Sequence, residues 1–270
     1  MPHVRVDDID LHYEERGAGE PLVFLSPTGW PGTVWQLEQV DFFSRHYRVL
    51  TYDYRGVGQS GKPDQSYSTA QMAADLAGLL RATSAVPAHV VGFSIGGRAA
   101  QLLAIGQPSL FRTLILAGSD TGRPGGGKSV PAHLALALLD ESYGSLEFWI
   151  EHFEDAGAFS PGFLHSDGPR RLAETIRQGQ PPAKLYLRHV LARLSHYSGD
   201  RLNEIRVPVQ VLVGAEDRSG AGEDRVAAAR QLAGQIANAE LETIPGGWHL
   251  FPWEVPAPTN EAILRFVRQH

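Results

Sequence analysis

An apolar, β-branched run ends at Gly92 and an alanine-rich helical pattern begins just after Gly97, so strand and helix are joined through Gly92-Phe93-Ser94-Ile95-Gly96. A chain that passes from strand to helix over so few residues turns sharply. A serine there is held at strained backbone angles that push its hydroxyl into the open. Glycines two residues to either side suit such a turn, because a β-carbon would meet the tightly folded chain. The helix N-terminus behind Ser94 offers free backbone N–H groups and the positive end of a dipole, both suited to an oxyanion. In a chain with 29 glycines the five-residue pattern alone is a weak signal; the flanking strand and helix give it weight.

The rest of the chain repeats that alternation. Val4–Val6 and Ile9–Glu15 alternate apolar and polar around Asp7-Asp8 and predict a β-hairpin. Leu22–Leu25 and Tyr47–Tyr52 predict strands, with a helix around Val34–Ser44 between them. Ser68-Thr69 caps a helix that places Met72, Ala73, Leu76, Leu79 and Leu80 on one face. Ala88–Phe93 is the serine strand, its helix runs to about Ile105, and Thr113–Ala117 is the next strand. From Thr121 to about Asp200 only helical patterns remain, in Ala132–Leu139, Leu146–Phe153, Arg170–Gln178 and Ala183–Leu194. Strand and helix then resume at Val207–Val213, Asp224–Ala233, Glu240–Ile244 and Asn260–Arg268. Such alternation means parallel strands joined by right-handed crossovers. The predicted fold is α/β, a doubly wound sheet whose core comprises residues 1–120 and 201–270. Residues 121–200 form a helical insertion that can roof the strand ends, where sites in such sheets lie.

Composition narrows the functional classes. A net charge of −6 without a basic cluster argues against nucleic acid as a partner. No apolar run is long enough to span a bilayer, and Met1–Asp8 lacks the apolar stretch of a signal peptide, so a cytoplasmic protein is expected. The absence of cysteine excludes disulfides, a thiolate nucleophile and a Cys-type zinc site.

Four segments in order, Gly29-Trp30-Pro31-Gly32, Asp53-x-Arg55-Gly56-x-Gly58-x-Ser60, Gly92-x-Ser94-x-Gly96-Gly97 and Gly246-Gly247-Trp248-His249, make the chain resemble an α/β-hydrolase with a cap. The resemblance covers nearly everything outside the insertion. It implies an eight-stranded, mostly parallel sheet with nucleophile, acid and histidine following in that order.

A serine hydroxyl needs a base, and histidine titrates in the right range. Of the eleven histidines, His249 follows a strand and a Gly-Gly turn near the C-terminus, where the family places its base. Two carboxylates compete to orient it. Asp217, beyond the strand Val211–Val213, resembles the family's usual acid position; Asp120, beyond Leu114–Ala117, matches the position used by some members. The neighbouring Glu216 is expected to point elsewhere. Backbone N–H groups of Ile95 and Trp30 are the expected oxyanion donors, although the family's His-Gly at the second position reads Thr28-Gly29 here. Trp30 and Phe93, beside those donors, are expected to form pocket wall. Asp53–Ser60 reads as a structural turn.

Gly122–Ser129 fits the phosphate-loop pattern G-x-x-x-x-G-K-[ST], but Ser119-Asp120-Thr121 separates it from the strand and Pro131 follows at once. A hinge into the insertion explains it better than nucleotide binding. Leu136, Leu139, Phe148, Trp149, Phe153, Phe159 and Phe163 are expected to form apolar faces of the cap helices, a few of them lining a pocket. The resulting expectation is a cofactor-free, metal-free serine hydrolase cleaving an ester or lactone of a small, apolar organic molecule. Its alternatives on the same triad are perhydrolysis of the haloperoxidase type and carbon–carbon bond hydrolysis; a ligand-binding relative without turnover is the alternative of another class. Substrate identity and oligomeric state are not legible.

Overall fold

The computed structural model describes residues 2–125, 143–219 and 224–270. Its strands are β1 (His3–Val6), β2 (Ile9–Arg16), β3 (Pro21–Leu25), β4 (Arg48–Tyr52), β5 (Ala88–Phe93), β6 (Phe111–Ala117), β7 (Val209–Gly214) and β8 (Ala239–Ile244). They form one eight-stranded sheet in the order β1-β2-β4-β3-β5-β6-β7-β8. The β1–β2 hairpin and the β2–β4 pair are antiparallel, and every pairing from β4 through β8 is parallel. β3 and β5, separated in sequence by β4, pair directly while β4 lies on the other side of β3, so the order reverses beside β5. Ligand sites in such sheets lie at the carboxyl ends of strands around that reversal.

Alternate residues of the central strands face two cores. Val23, Val90 and Leu114 pack with Met72, Leu76 and Leu79 of α2 (Thr69–Ala82) and with Ala99 and Leu103 of α3 (Ile95–Gly106). Phe24, Val91 and Ile115 face the other way, among Trp35, Phe43, Trp253 and Phe266. Ser68 caps α2, its hydroxyl accepting from the Gln71 N–H at 3.1 Å.

Two predicted helices differ from the observed ones. The stretch expected to run from Val34 to Ser44 is a 3-10 turn (Gly32–Leu37) followed by a one-turn helix, α1 (Val40–Phe43). Tertiary bonds break it. The Gly32 N–H is drawn to Asp53 Oδ1 at 2.8 Å, and the buried Gln39 amide donates to the Pro252 carbonyl at 2.7 Å. The closing helix begins earlier than Asn260, at Pro256. Prolines in a first turn remove N–H groups that have no helical partner in any case.

Between β6 and β7 the described residues form α4 (Leu146–Asp155), α5 (Pro161–Leu164), α6 (Gly168–Gly179) and α7 (Ala183–Leu194). The helix expected over Ala132–Leu139, and Lys128 of the phosphate-loop pattern, lie outside the described residues. The ends of this segment meet: Gly122 bridges Tyr197, and the Ser198 N–H donates to the Thr121 carbonyl at 3.0 Å. Phe148, Trp149, Phe153 and Phe159 are buried in the second core, with Phe163 packed against it. After β7 the chain continues through α8 (Arg225–Gly234), β8, a short α9 (Phe251–Glu254) and the closing α10 (Pro256–Gln269).

Candidate active site

Ser94 sits between β5 and α3 with φ 51° and ψ −117°, in the left-handed region that a side chain rarely adopts. The surrounding contacts hold it there. A β-carbon on Gly92 would lie 2.6 Å from the Gly97 nitrogen, so strand and helix can come this close only without one. The Ser94 N–H donates to the Ala117 carbonyl at 3.0 Å, and the Ser94 carbonyl accepts the Ser119 hydroxyl at 2.8 Å. The next N–H, that of Ile95, opens α3, where a helix has no carbonyl to offer it.

His249 and Asp217 arrive on separate loops that are fastened to each other. The Ala215 N–H donates to the Ile244 carbonyl (3.0 Å) and the Glu216 N–H to the Gly247 carbonyl (2.9 Å). Gly214 makes the approach possible, since a β-carbon there would lie 2.3 Å from both the Gly247 and Trp248 carbonyl oxygens. His249 Nδ1 is 2.8 Å from Asp217 Oδ2. Oδ1 of the same carboxylate accepts the Ser219 N–H at 2.9 Å and the Ser219 hydroxyl at 2.6 Å. Burial alone would raise the Asp217 pKa; the His249 and Ser219 contacts outweigh it and hold the group below its ordinary value. An ionised carboxylate only accepts, so Nδ1 of His249 donates to it and Nε2 is the ring nitrogen that this contact leaves unused.

Asp120 lies elsewhere. Its carboxylate pairs with Arg98 and, at 3.2 Å, with Arg225, and it accepts the Gly122 N–H at 2.8 Å. Burial raises its pKa, but Arg98, the Gly122 N–H and Arg225 together bring it down to about 2. Of the two carboxylates in contention, the one on His249 is Asp217. Glu216 faces Arg218 at 3.7 Å in an exposed pair.

Ser94 and His249 line a common cavity of about 590 Å³, walled by Trp30, Phe93, Phe153, Ala158 and Leu250. Trp30 and Phe93 thus stand where a pocket wall was expected, and His249 packs against Phe93 with ring centroids 5.4 Å apart and planes tilted by 58°. Of the cap aromatics named from sequence, Phe153 reaches the cavity; Phe148, Trp149, Phe159 and Phe163 do not line it. The Trp30 N–H, expected as an oxyanion donor, donates to the Pro27 carbonyl at 3.2 Å, closing a turn. On the same loop Thr28 is buried, lines the cavity, and carries a hydroxyl with no hydrogen-bond partner among the described residues. Thr28, Tyr186, Arg193 and Ser219 are polar groups of the site that no motif signalled.

The Asp53–Ser60 turn is pinned as a structural element. Asp53 accepts the Gly32 and Gln59 N–H groups at 2.8 and 2.9 Å, and Arg55 grips Asp75 through bonds of 2.7 and 2.6 Å. Among the described residues no three His, Asp or Glu side chains are grouped to hold a metal, and no helix is long and apolar enough to cross a membrane.

Comparison with known proteins agrees with this architecture. The enol-lactonase from Burkholderia xenovorans LB400 superposes with a TM-score of 0.84 at 22% identity, covering 99% of this chain and 100% of that one. Est816, described as an N-acyl homoserine lactone degrading enzyme, superposes with a TM-score of 0.77 at 28% identity over 98% and 100%. A Synechocystis sp. protein whose name assigns it to the non-heme chloroperoxidases is 28% identical over 99% of this chain and 100% of its own. A sequence profile described as "Alpha/beta hydrolase family" matches residues 22–262, and with the sheet and its serine turn in place the chain belongs to the alpha/beta hydrolase family.

Proposed function

We propose that the protein is a serine hydrolase that cleaves a carboxylic ester or lactone of a small organic molecule through an acyl-enzyme on Ser94. The observation that carries this reading is the convergence of two groups on one cavity: a serine held at positive φ on the β5–α3 turn, and a histidine fixed by an ionised aspartate. The described residues of α4 and α7, with the turn after α4, act as the roof of that cavity.

The Ser94 hydroxyl attacks the substrate carbonyl as His249 Nε2 takes its proton. Asp217 holds the imidazole in the required tautomer and stabilises the imidazolium; Ser219 fixes Asp217 in turn. The developing oxyanion meets the Ile95 N–H at the positive end of α3. The second donor is assigned to the Thr28 hydroxyl rather than to the engaged Trp30 N–H. His249 then gives its proton to the leaving alkoxide. It next removes a proton from water, which attacks the acyl group and releases the acid and Ser94.

The Synechocystis relative favours a second reading on the same residues, in which hydrogen peroxide replaces water at the acyl-enzyme and a peracid leaves. Fluorophosphonate titration followed by intact mass tests the primary reading. One adduct per wild-type chain and none on Ser94→Ala supports it; a well-folded wild type without adduct refutes it. Peroxide-dependent bromination in acetate buffer separates the second reading from the first.

A further inference from the structure

The polar lining of the cavity is unequal in charge. Arg193, Arg218 and Arg225 line it, as do Glu154 and Asp155. Most of these charges are already answered or face water. Arg225 is held by Asp120 at 3.2 Å, Arg218 is 72% exposed beside Glu216, and Glu154 and Asp155 are exposed. Arg193 is half-buried, and among the described residues no carboxylate lies within ion-pair distance of its guanidinium.

Its position is set by the helix. Tyr186, Val190 and Arg193 follow one another at i, i+4 and i+7 along α7 and share a face. Tyr186 and Arg193 both line the cavity, which turns that face toward Ser94 and His249. The end of α7 is fastened as well, because Arg98 of α3 donates to the Arg193 carbonyl. Arg98 lies four residues from Ser94, about 6 Å along the helix axis. The guanidinium therefore stands on a fixed backbone in the roof over the serine.

Filling this cavity with a neutral apolar ligand would strip water from Arg193 and give nothing back, which is unfavourable for a charge without a partner. A carboxylate on the ligand answers it, since the planar guanidinium fork matches a carboxylate with two parallel hydrogen bonds. We infer that the substrate carries a carboxylate besides its scissile ester or lactone, and that Arg193 binds this group. The inference rests on the hydrolase reading above and gives it a substrate class: half-esters of dicarboxylic acids, or lactones and esters bearing a free acid.

Two matched substrate pairs test it. One places the carboxylate on the acyl side, 4-nitrophenyl hydrogen glutarate against 4-nitrophenyl butyrate. The other places it on the alcohol side, 3-acetoxybenzoate against phenyl acetate. Wild type is expected to prefer the anionic member of at least one pair by tenfold or more in kcat/KM. Arg193→Met brings that ratio close to one, chiefly through KM, and Arg193→Lys keeps part of it because charge remains without the fork. Equal rates within both pairs on wild type, or a preference untouched by Arg193→Met, overturns the inference. Calorimetric binding of monomethyl glutarate to Ser94→Ala, with and without Arg193→Met, reads the same subsite without chemistry. Binding weakened tenfold or more by Arg193→Met with no turnover by wild type would keep the carboxylate site and remove the hydrolase reading. Turnover of neutral esters with no Arg193-dependent binding would do the reverse. Thermal midpoints of the variants within a few degrees of wild type show that the comparison is between folded proteins.

Discussion

Asp120→Asn separates two roles that an aspartate at the end of β6 can play. The carboxylate is ion-paired with Arg98 and Arg225 and accepts the Gly122 N–H, whereas the Nδ1 of His249 faces Asp217. Asparagine keeps the shape of the group and mimics its protonated form. The folded-state pKa of about 2 against an ordinary 3.8 corresponds to about 2 kcal/mol of stability at neutral pH. The sign follows from a depressed carboxylate. The contribution is complete above pH 4 and disappears as the pH falls toward about 2, because the unfolded chain binds the proton first. Urea unfolding at pH 7 is expected to show Asp120→Asn less stable by about 2 kcal/mol, with the gap closing as the pH drops from 4 toward 2. Ester turnover at pH 7 and 20 °C, where both proteins are folded, stays within about threefold. Asp217→Asn behaves in the opposite way and lowers kcat by about 10⁴, the scale seen when a triad histidine loses its orienting carboxylate. An Asp120→Asn protein of unchanged stability with kcat reduced a thousandfold would refute this division of labour and place Asp120 in the reaction.

Two further outcomes follow from close contacts in the site. Gly214→Ala puts a methyl group 2.3 Å from two carbonyl oxygens of the His249 loop, so it is expected to lower stability by about 1–3 kcal/mol and to reduce kcat; a thermal scan and an ester assay read both. Thr28→Val removes a buried hydroxyl that no described protein group bonds, so unfolding midpoints should hold or rise; kcat/KM should fall about tenfold, the scale of one hydrogen bond, and an unchanged kcat/KM returns the second oxyanion donor to the backbone.

The sheet and the triad candidates were legible because both depend on local pattern. The β-branched run before Gly92 and the Gly-Gly turn before His249 each name a strand end by what the backbone needs there. The competition between Asp120 and Asp217 was not resolvable in the same way, since both stand just past a buried strand. Only the arginines that claim one of them, Arg98 from α3 and Arg225 from α8, tell them apart, and they are distant in sequence. The break at Gln39 was hidden for a related reason: its amide bonds to Pro252, 213 residues away. Trp30 illustrates a third limit. Its side chain could be placed at the pocket from its neighbours, but the direction of its N–H depends on the turn that Ser26-Pro27-Thr28 makes. Ser219, Tyr186 and Arg193 carry no motif, because a hydroxyl supporting an acid and the polar groups of one helix face have no fixed spacing from the serine.

The Arg98 guanidinium joins three parts of the molecule at once: it stands on the helix that begins at Ser94, it pairs with Asp120 beyond β6, and it caps the last turn of α7 at the Arg193 carbonyl. A roof anchored this way is not a free lid at its α7 end. Exchange of residues 121–200 for the corresponding segment of a relative would succeed only if the graft offered Arg98 both an acid and a helix end at the same place. The sheet and the roof are in this sense matched halves, and a change of substrate range by wholesale replacement of the roof is constrained by one half-buried arginine in the base.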